Sequence, residues 1–156
     1  MGCSITRYPQ PSLDQFYGAL EREFYSGLGL HYVKNPDVSY LAKQGVLMLN
    51  AALTTEMNKA GSHLLLWQPF IKFLFEEVLF TEGVPIVFLG REAAKNERFL
   101  APFTWVFKIS HPASASYSDS EWDSENTFSK VNKLLIQRNG FSINWLNVPE
   151  EDNLPF

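Results

Sequence analysis

The chain has 156 residues, 46 % of them apolar and 15 % aromatic, which is enough to bury a core in one domain and excludes a disordered chain. A general nucleic-acid binder is usually basic, so a formal charge of −4 gives that role no support, and any contact with phosphates has to come from a local patch. The single cysteine, Cys3, allows no intrachain disulfide and fits a reducing compartment, no apolar run reaches the length of a membrane span, and the first residues carry no secretory pattern.

The opening MGCSIT fits the N-myristoylation pattern through Gly2 and Thr6, with Cys3 beside it for palmitoylation. The pattern is short and recurs by chance, so an ordinary start is the preferred reading. YPQPSL, residues 8–13, is a Pro-rich turn leading into a helix, with Ser12 and Gln15 as its capping box and Leu13, Phe16, Tyr17, Leu20 and Phe24 on its buried face. Residues 27–37 read as loop and 38–44 as a short helix. Val46–Leu49 is a continuous apolar run ending at Asn50, the pattern of a buried strand with an amide at its carboxyl end. A polar loop, TTEMNKAGSH, follows. Residues 66–80 predict an apolar helix packed through Trp67, Phe70, Leu74 and Val78, with Pro69 tolerable only in its first turn.

VPIVFLG, residues 84–90, is the second strand, stopped by Gly90, and REAAKNERF is a helix directly after it. TWVFKISHP, residues 104–112, is the third strand, with His111 at its end. A Ser-rich loop leads to the last helix, residues 125–138, with Phe128, Val131 and Leu135 inward and Gly140 as its stop signal. Strands alternating with helices predict an α/β fold with a parallel sheet flanked by helices, in a single domain over residues 1–156. Asn50, Gly90 with Arg91, and His111 all fall at strand carboxyl ends, and on that fold such ends share one rim, where ligands sit.

Each of these residues has a structural reading beside the functional one. His111 can donate a hydrogen bond to a developing anion or be a satisfied structural histidine, which alone is the commoner case. Asn50 offers a donor and an acceptor that match a pyrimidine edge, or it ties down a neighbouring loop. His63 is best read, with Ser62, as a helix cap. Among cations, Lys43, Lys59, Arg91, Lys95 and Arg98 are the candidates for a local phosphate patch. There is no metal-ligand spacing, no nucleotide-binding glycine loop and no nucleophile elbow, so neither a metal nor a cofactor is expected.

Taken together, the segments resemble uracil-DNA glycosylases. AKQGVLMLNAALT at 42–54, GSH at 61–63 with the Trp67/Phe70 helix, VFLGREAAK at 87–95, HPASAS at 111–116, TFSKVNKLL at 127–135 and INW at 143–145 occur in the family's order, as does the Pro-rich YPQPSL. The resemblance implies that Asn50 hydrogen-bonds a flipped uracil and that His111 stabilises the departing uracil anion. It implies further that Pro9, Pro11, Ser12, Gly90, Arg91, Pro112, Ser114, Ala115, Ser116 and Tyr117 contact DNA. Such enzymes extrude the base because its glycosidic bond is out of reach in the stack.

The departures are as specific. The family's water-activating motif, GQDPYH or GQDPYP, does not occur within residues 1–156, and the first central strand that carries it is missing or replaced. The aromatic that stacks on uracil falls at or beside Ile5, which has no aromatic face. The leucine wedge aligns near Ala115, with Tyr117 the nearest large side chain. The chain is therefore expected to be a uracil-DNA glycosylase-like protein of the base-excision repair lineage. It would bind DNA, single- or double-stranded and uracil-containing, or uracil itself, with excision impaired or lost through truncation or degeneration. The alternatives are a non-catalytic module that binds a protein partner, such as a phage-type protein occupying a host factor, and an enzyme that recruits its water through Glu56 or Asp119. Location would be cytoplasmic, at the nucleoid or, in a eukaryotic setting, nuclear, with no membrane contact.

Overall fold

The computed structural model describes residues 10–26, 34–116 and 120–146. They fall into two compact units, one from residues up to Leu47 together with those from Ser110 onward, the other Met48–Ile109.

The first unit is helical. Helix α1, Pro11–Tyr25, begins on Gln10, whose extended backbone hands over to Pro11 at the first helical position. The expected Ser12–Gln15 capping box is therefore not formed. Proline fixes the start two residues earlier, and Ser12 is already inside the helix. Gln15 is used elsewhere, with its amide donating to Ser120 O and its carbonyl accepting from Trp122 N–H at 3.0 Å. Leu13, Phe16, Tyr17, Ala19 and Leu20 are buried, as the 3.6-residue period requires. Phe16 stacks on Trp122 at 6.3 Å and meets Phe128 edge-on at 5.2 Å, and Phe128 in turn meets Trp145 at 4.8 Å. These last rings tie in helix α6, Thr127–Asn139, which ends on Gly140 with φ 73°, the left-handed stop that glycine adopts without strain.

Around them the short helix α2, Ser39–Lys43, buries Leu41. Two side-chain amides then act as strand partners for the segment 143–145. Gln44 exchanges both hydrogen bonds with the Asn144 main chain at 2.8 and 3.1 Å, and Asn132 does the same with Ile143 at 3.0 Å. Tyr40 donates to Trp145 O at 2.5 Å, and burial raises its pKa well above that of a free phenol. The Ser-rich stretch is not all loop, since Ala113–Ser116 forms one helical turn, α5.

The second unit is a compact βαβ. Helix α3, Leu64–Phe73, runs into a π-helical turn, Leu74–Val78. Strand β1, Pro85–Leu89, is followed by α4, Arg91–Ala94, which tightens into a 3-10 turn, Lys95–Phe99. Strand β2, Trp105–Ile109, then pairs with β1 in parallel, Pro85 opposite Trp105 and Leu89 opposite Ile109. The core is Ile71, Phe75 and Phe88, with Leu49, Ile86, Phe99 and Val106 packed against it.

Two expectations fail here. The apolar helix starts two residues early, so Pro69 lies in its interior, and it packs through Ile71 and Phe75 while Phe70 and Val78 are 41 % and 49 % exposed. The stretch LLLWQPFIKFLF is apolar around most of its circumference, so its periodicity has too little contrast to set the buried face. Val46–Leu49 is not a strand, because the described sheet contains β1 and β2 alone and neither pairs with it. An apolar run needs a hydrogen-bonded neighbour to become a strand, and among the described residues this one has none; Leu47 is 61 % exposed.

Candidate functional site

The sheet is parallel, so Gly90 and the residues after Ile109 both stand at strand carboxyl ends. Gly90 has φ 91° and ψ 165°, a conformation essentially reserved for glycine, and donates its N–H to Ile109 O at 2.8 Å. This locks the two strand ends level. Arg91 follows it, exposed.

Asn50, in the same unit, sits on an irregular segment instead of the expected strand end. It is exposed, and its amide makes no hydrogen bond to any described residue, so it does not tie down the neighbouring loop. That loop is held by other groups. Thr55 Oγ1 donates to Lys59 O at 2.6 Å, and Ser62 Oγ accepts from Glu56 N–H at 2.9 Å. Thr54 Oγ1 accepts from the Trp67 indole at 2.8 Å, which leaves the threonine proton available to His63 Nδ1 at 2.9 Å. His63 occupies the N-cap position of α3 but makes no capping bond through its ring, which is spent on Thr54. Sequence reading missed this lattice. The run of hydroxyl residues before GSH was the signal for it.

The expected phosphate patch is thinned by pairing. Lys59 meets Glu56 at 2.5 Å and Lys95 meets Glu92 at 2.7 Å. Arg98 lies over the Phe99 ring at 4.7 Å. Among the described residues Arg91 and Arg98 form no ion pair with a carboxylate. Glu56 is thus engaged by a cation, and Asp119 lies outside the described residues, as do Ile5, Pro9 and Tyr117.

In the other unit, His111 opens a tight turn. Ala113 N–H donates to His111 Nδ1 at 3.0 Å, while Ser114 N–H and Oγ–H both reach His111 O, at 2.9 and 2.7 Å. A ring nitrogen that accepts cannot carry the proton, so the neutral imidazole holds it on Nε2. Although His111 is exposed as a residue, its ring is crowded enough for desolvation to lower its pKa below that of a free imidazole. Pro112 and Ala115, within the same turn, are buried. The Trp122 indole anchors the residue before it, donating to Ser110 O and Oγ at 3.1 and 2.9 Å. Ser116 ends α5, while Pro11 and Ser12 are the first residues of α1. Among the described residues no cluster of His, Cys, Asp or Glu is arranged to hold a metal ion, and no helix is long and apolar enough to cross a membrane.

A titration of His111 by NMR is expected to give a midpoint below that of an unstructured histidine peptide. Because the folded-state pKa is the lower one, the unfolded chain takes up the proton first as pH falls. The stability this histidine contributes is therefore present above the ordinary imidazole pKa and is lost as pH falls through its folded value. A midpoint at or above the peptide's would remove the neutral donor.

Comparison with known proteins adds three findings. The family described as the uracil DNA glycosylase superfamily matches residues 8–136. The chain is 34 % identical over 149 residues to a uracil-DNA glycosylase of Chromobacterium violaceum, covering 94 % of this chain and 60 % of that protein. It is 33 % identical over 147 residues to that of Proteus mirabilis, covering 90 % and 62 %. Among solved structures, mimivirus uracil-DNA glycosylase superposes with a TM-score of 0.68 at 26 % identity, covering 93 % of this chain and 59 % of that one. A mimivirus variant in complex with UGI reaches 0.72 at 23 % identity, a likeness of fold. The chain thus spans about three fifths of the length of the relatives it matches.

Proposed function

The chain belongs to the uracil DNA glycosylase superfamily, and from that membership we propose that residues 1–156 act as one glycosylase-like domain of base-excision repair that binds uracil or uracil-containing DNA without excising the base. The observation that carries the reading is the turn at His111. A backbone N–H spent on Nδ1 leaves a neutral ring with its proton on Nε2. Such a donor can take a hydrogen bond's share of the charge on a departing or bound uracil oxygen while keeping its proton, because a neutral imidazole is a very weak acid.

Asn50 supports the same reading from the second unit. Its amide is exposed and makes no described hydrogen bond, so it has both a donor and an acceptor to offer a pyrimidine edge. Of the five candidate cations, Lys43, Arg91 and Arg98 carry no described ion pair and are left for phosphates. The water-activating motif of the family does not occur in residues 1–156, and of the two alternative carboxylates, Glu56 and Asp119, Glu56 is held by Lys59. A general base must stand within hydrogen-bond reach of its water, and a paired carboxylate on an exposed loop is poorly suited to that.

Asn50→Asp tests the role of this amide. It replaces a donor by an anion where the uracil edge needs both functions, so affinity for uracil, read by calorimetry, is expected to fall about ten- to a hundredfold. Thermal stability should stay within about 0.5 kcal/mol of the parent, as for a surface substitution that breaks no contact. Unchanged affinity would mean that Asn50 does not read uracil.

A further inference from the structure

The end of the sheet opposite Gly90 carries large side chains that the core does not use. Phe80 precedes β1 and is 95 % exposed, and Phe103 precedes β2 and is 86 % exposed. Because the strands are parallel, both segments stand at strand amino ends. Thr81 ties the two together. It is buried, its Oγ1 accepts from Ala101 N–H at 3.0 Å and lies 3.1 Å from Thr104 Oγ1, and its carbonyl accepts from Val84 N–H at 3.0 Å. Phe103 is held there with φ 64°, in the left-handed region, where a bulky aromatic residue is strained and glycine is not. Packing does not explain the ring, since neither it nor Phe80 contacts another aromatic ring among the described residues. A side chain that strains the backbone and buries almost nothing in its own fold marks a contact made outside that fold.

The flanking charges say what kind of partner fits. From Phe73 to Leu89 the only charged residues are Glu76, Glu77 and Glu82, and residues 99–105 carry none. Glu76 is paired with Lys72 at 3.7 Å, whereas Glu77 and Glu82 are exposed and form no ion pair among the described residues. The formal charge of −4 disfavours a second copy of the chain as the occupant. We propose that Phe80, Phe103, Glu77 and Glu82 form a docking site for an arginine- or lysine-bearing segment of a partner polypeptide. Cationic groups lie over the two rings and pair with the two carboxylates, aromatic anchors and charge complementarity acting together. The site lies at the far end of the sheet from Gly90 and Arg91, so it serves recruitment and leaves that rim uncovered.

An NMR titration of the intact 1–156 chain tests this, with a capped peptide of alternating arginine and glycine as the probe and the same peptide with glutamine for arginine as its control. Amide shifts are expected to concentrate in residues 77–84 and 101–105 with the arginine peptide and to be absent with the glutamine one. Phe103→Gly should weaken the arginine peptide at least about tenfold. The same variant should unfold no lower than the parent and up to about 2–4 °C higher, because it relieves the left-handed strain. Phe80→Ala, at a residue 95 % exposed, should also weaken the peptide without changing the melting temperature. Three results would overturn the proposal. One is shifts spread evenly over the acidic residues and unaltered in both variants, the mark of nonspecific attraction. Another is equal binding of the two peptides. The third is a melting temperature for Phe103→Gly more than about 4 °C below the parent's, which would give the ring a structural role.

Discussion

Trp122→Ala is expected to lower the unfolding free energy of the chain by about 3–5 kcal/mol, the usual range for emptying a large buried aromatic site. Trp122 is 2 % exposed, stacks on Phe16 and contacts Phe128 at 6.4 Å. Its backbone carbonyl also accepts from Arg22 at 2.7 Å, so one residue joins α1, α6 and the segment after Ile109. Denaturant unfolding of 1–156 measures the loss, and a change under about 1 kcal/mol would show that the site collapses without cost. Trp122→Phe separates the ring from its N–H. The aromatic volume is largely retained, but Ser110 loses its donor, for a cost of about 1–3 kcal/mol. Since Ser110 precedes His111, the Phe variant is also expected to shift the His111 ring resonances, and an unmoved ring would mean that the turn is held without the indole.

Uracil excision by 1–156 is expected to be at least about a hundred- to ten-thousandfold slower than by the Chromobacterium violaceum relative, the range a positioned general base contributes. The assay uses single-stranded DNA carrying one uracil, alkali after incubation, and binding read in the same samples at two salt concentrations. Salt-sensitive binding without cleavage is the expected pattern. Arg91→Ala should reduce the slope of log affinity against log salt by about 0.7, one phosphate's worth on a single strand. Lys59 and Lys95, already paired with Glu56 and Glu92, should matter much less. Cleavage close to the relative's rate would mean that a base is supplied from within 1–156, and the non-excising reading would fall. Absence of both binding and cleavage would remove DNA as the partner.

What the sequence by itself determined is what depends on local contrast. Helix α1 has a clean 3.6-residue stripe and a proline at its start, α6 ends on a glycine, and β1 and β2 are short apolar runs bounded by turn residues. The α/β class, the parallel pairing and the family itself were legible from those segments and their order. What only the tertiary structure decided is whatever needs a neighbour. Val46–Leu49 has the composition of a strand and no partner strand, so it is not one. Helix α3 is apolar on nearly every side, so packing alone chose Ile71 and Phe75.

The start of α6 shows the same dependence at a single group. Its N-cap position, Asn126, is left-handed and makes no side-chain cap. Instead Glu23, more than a hundred residues earlier on α1, accepts from Ser129 N–H and from Ser124 Oγ. An anion at a helix start is favoured whichever part of the chain supplies it. His111 is the functional counterpart. Its place after a strand could be read from the sequence, but its tautomer is set by the N–H of Ala113, and that required the turn to be folded.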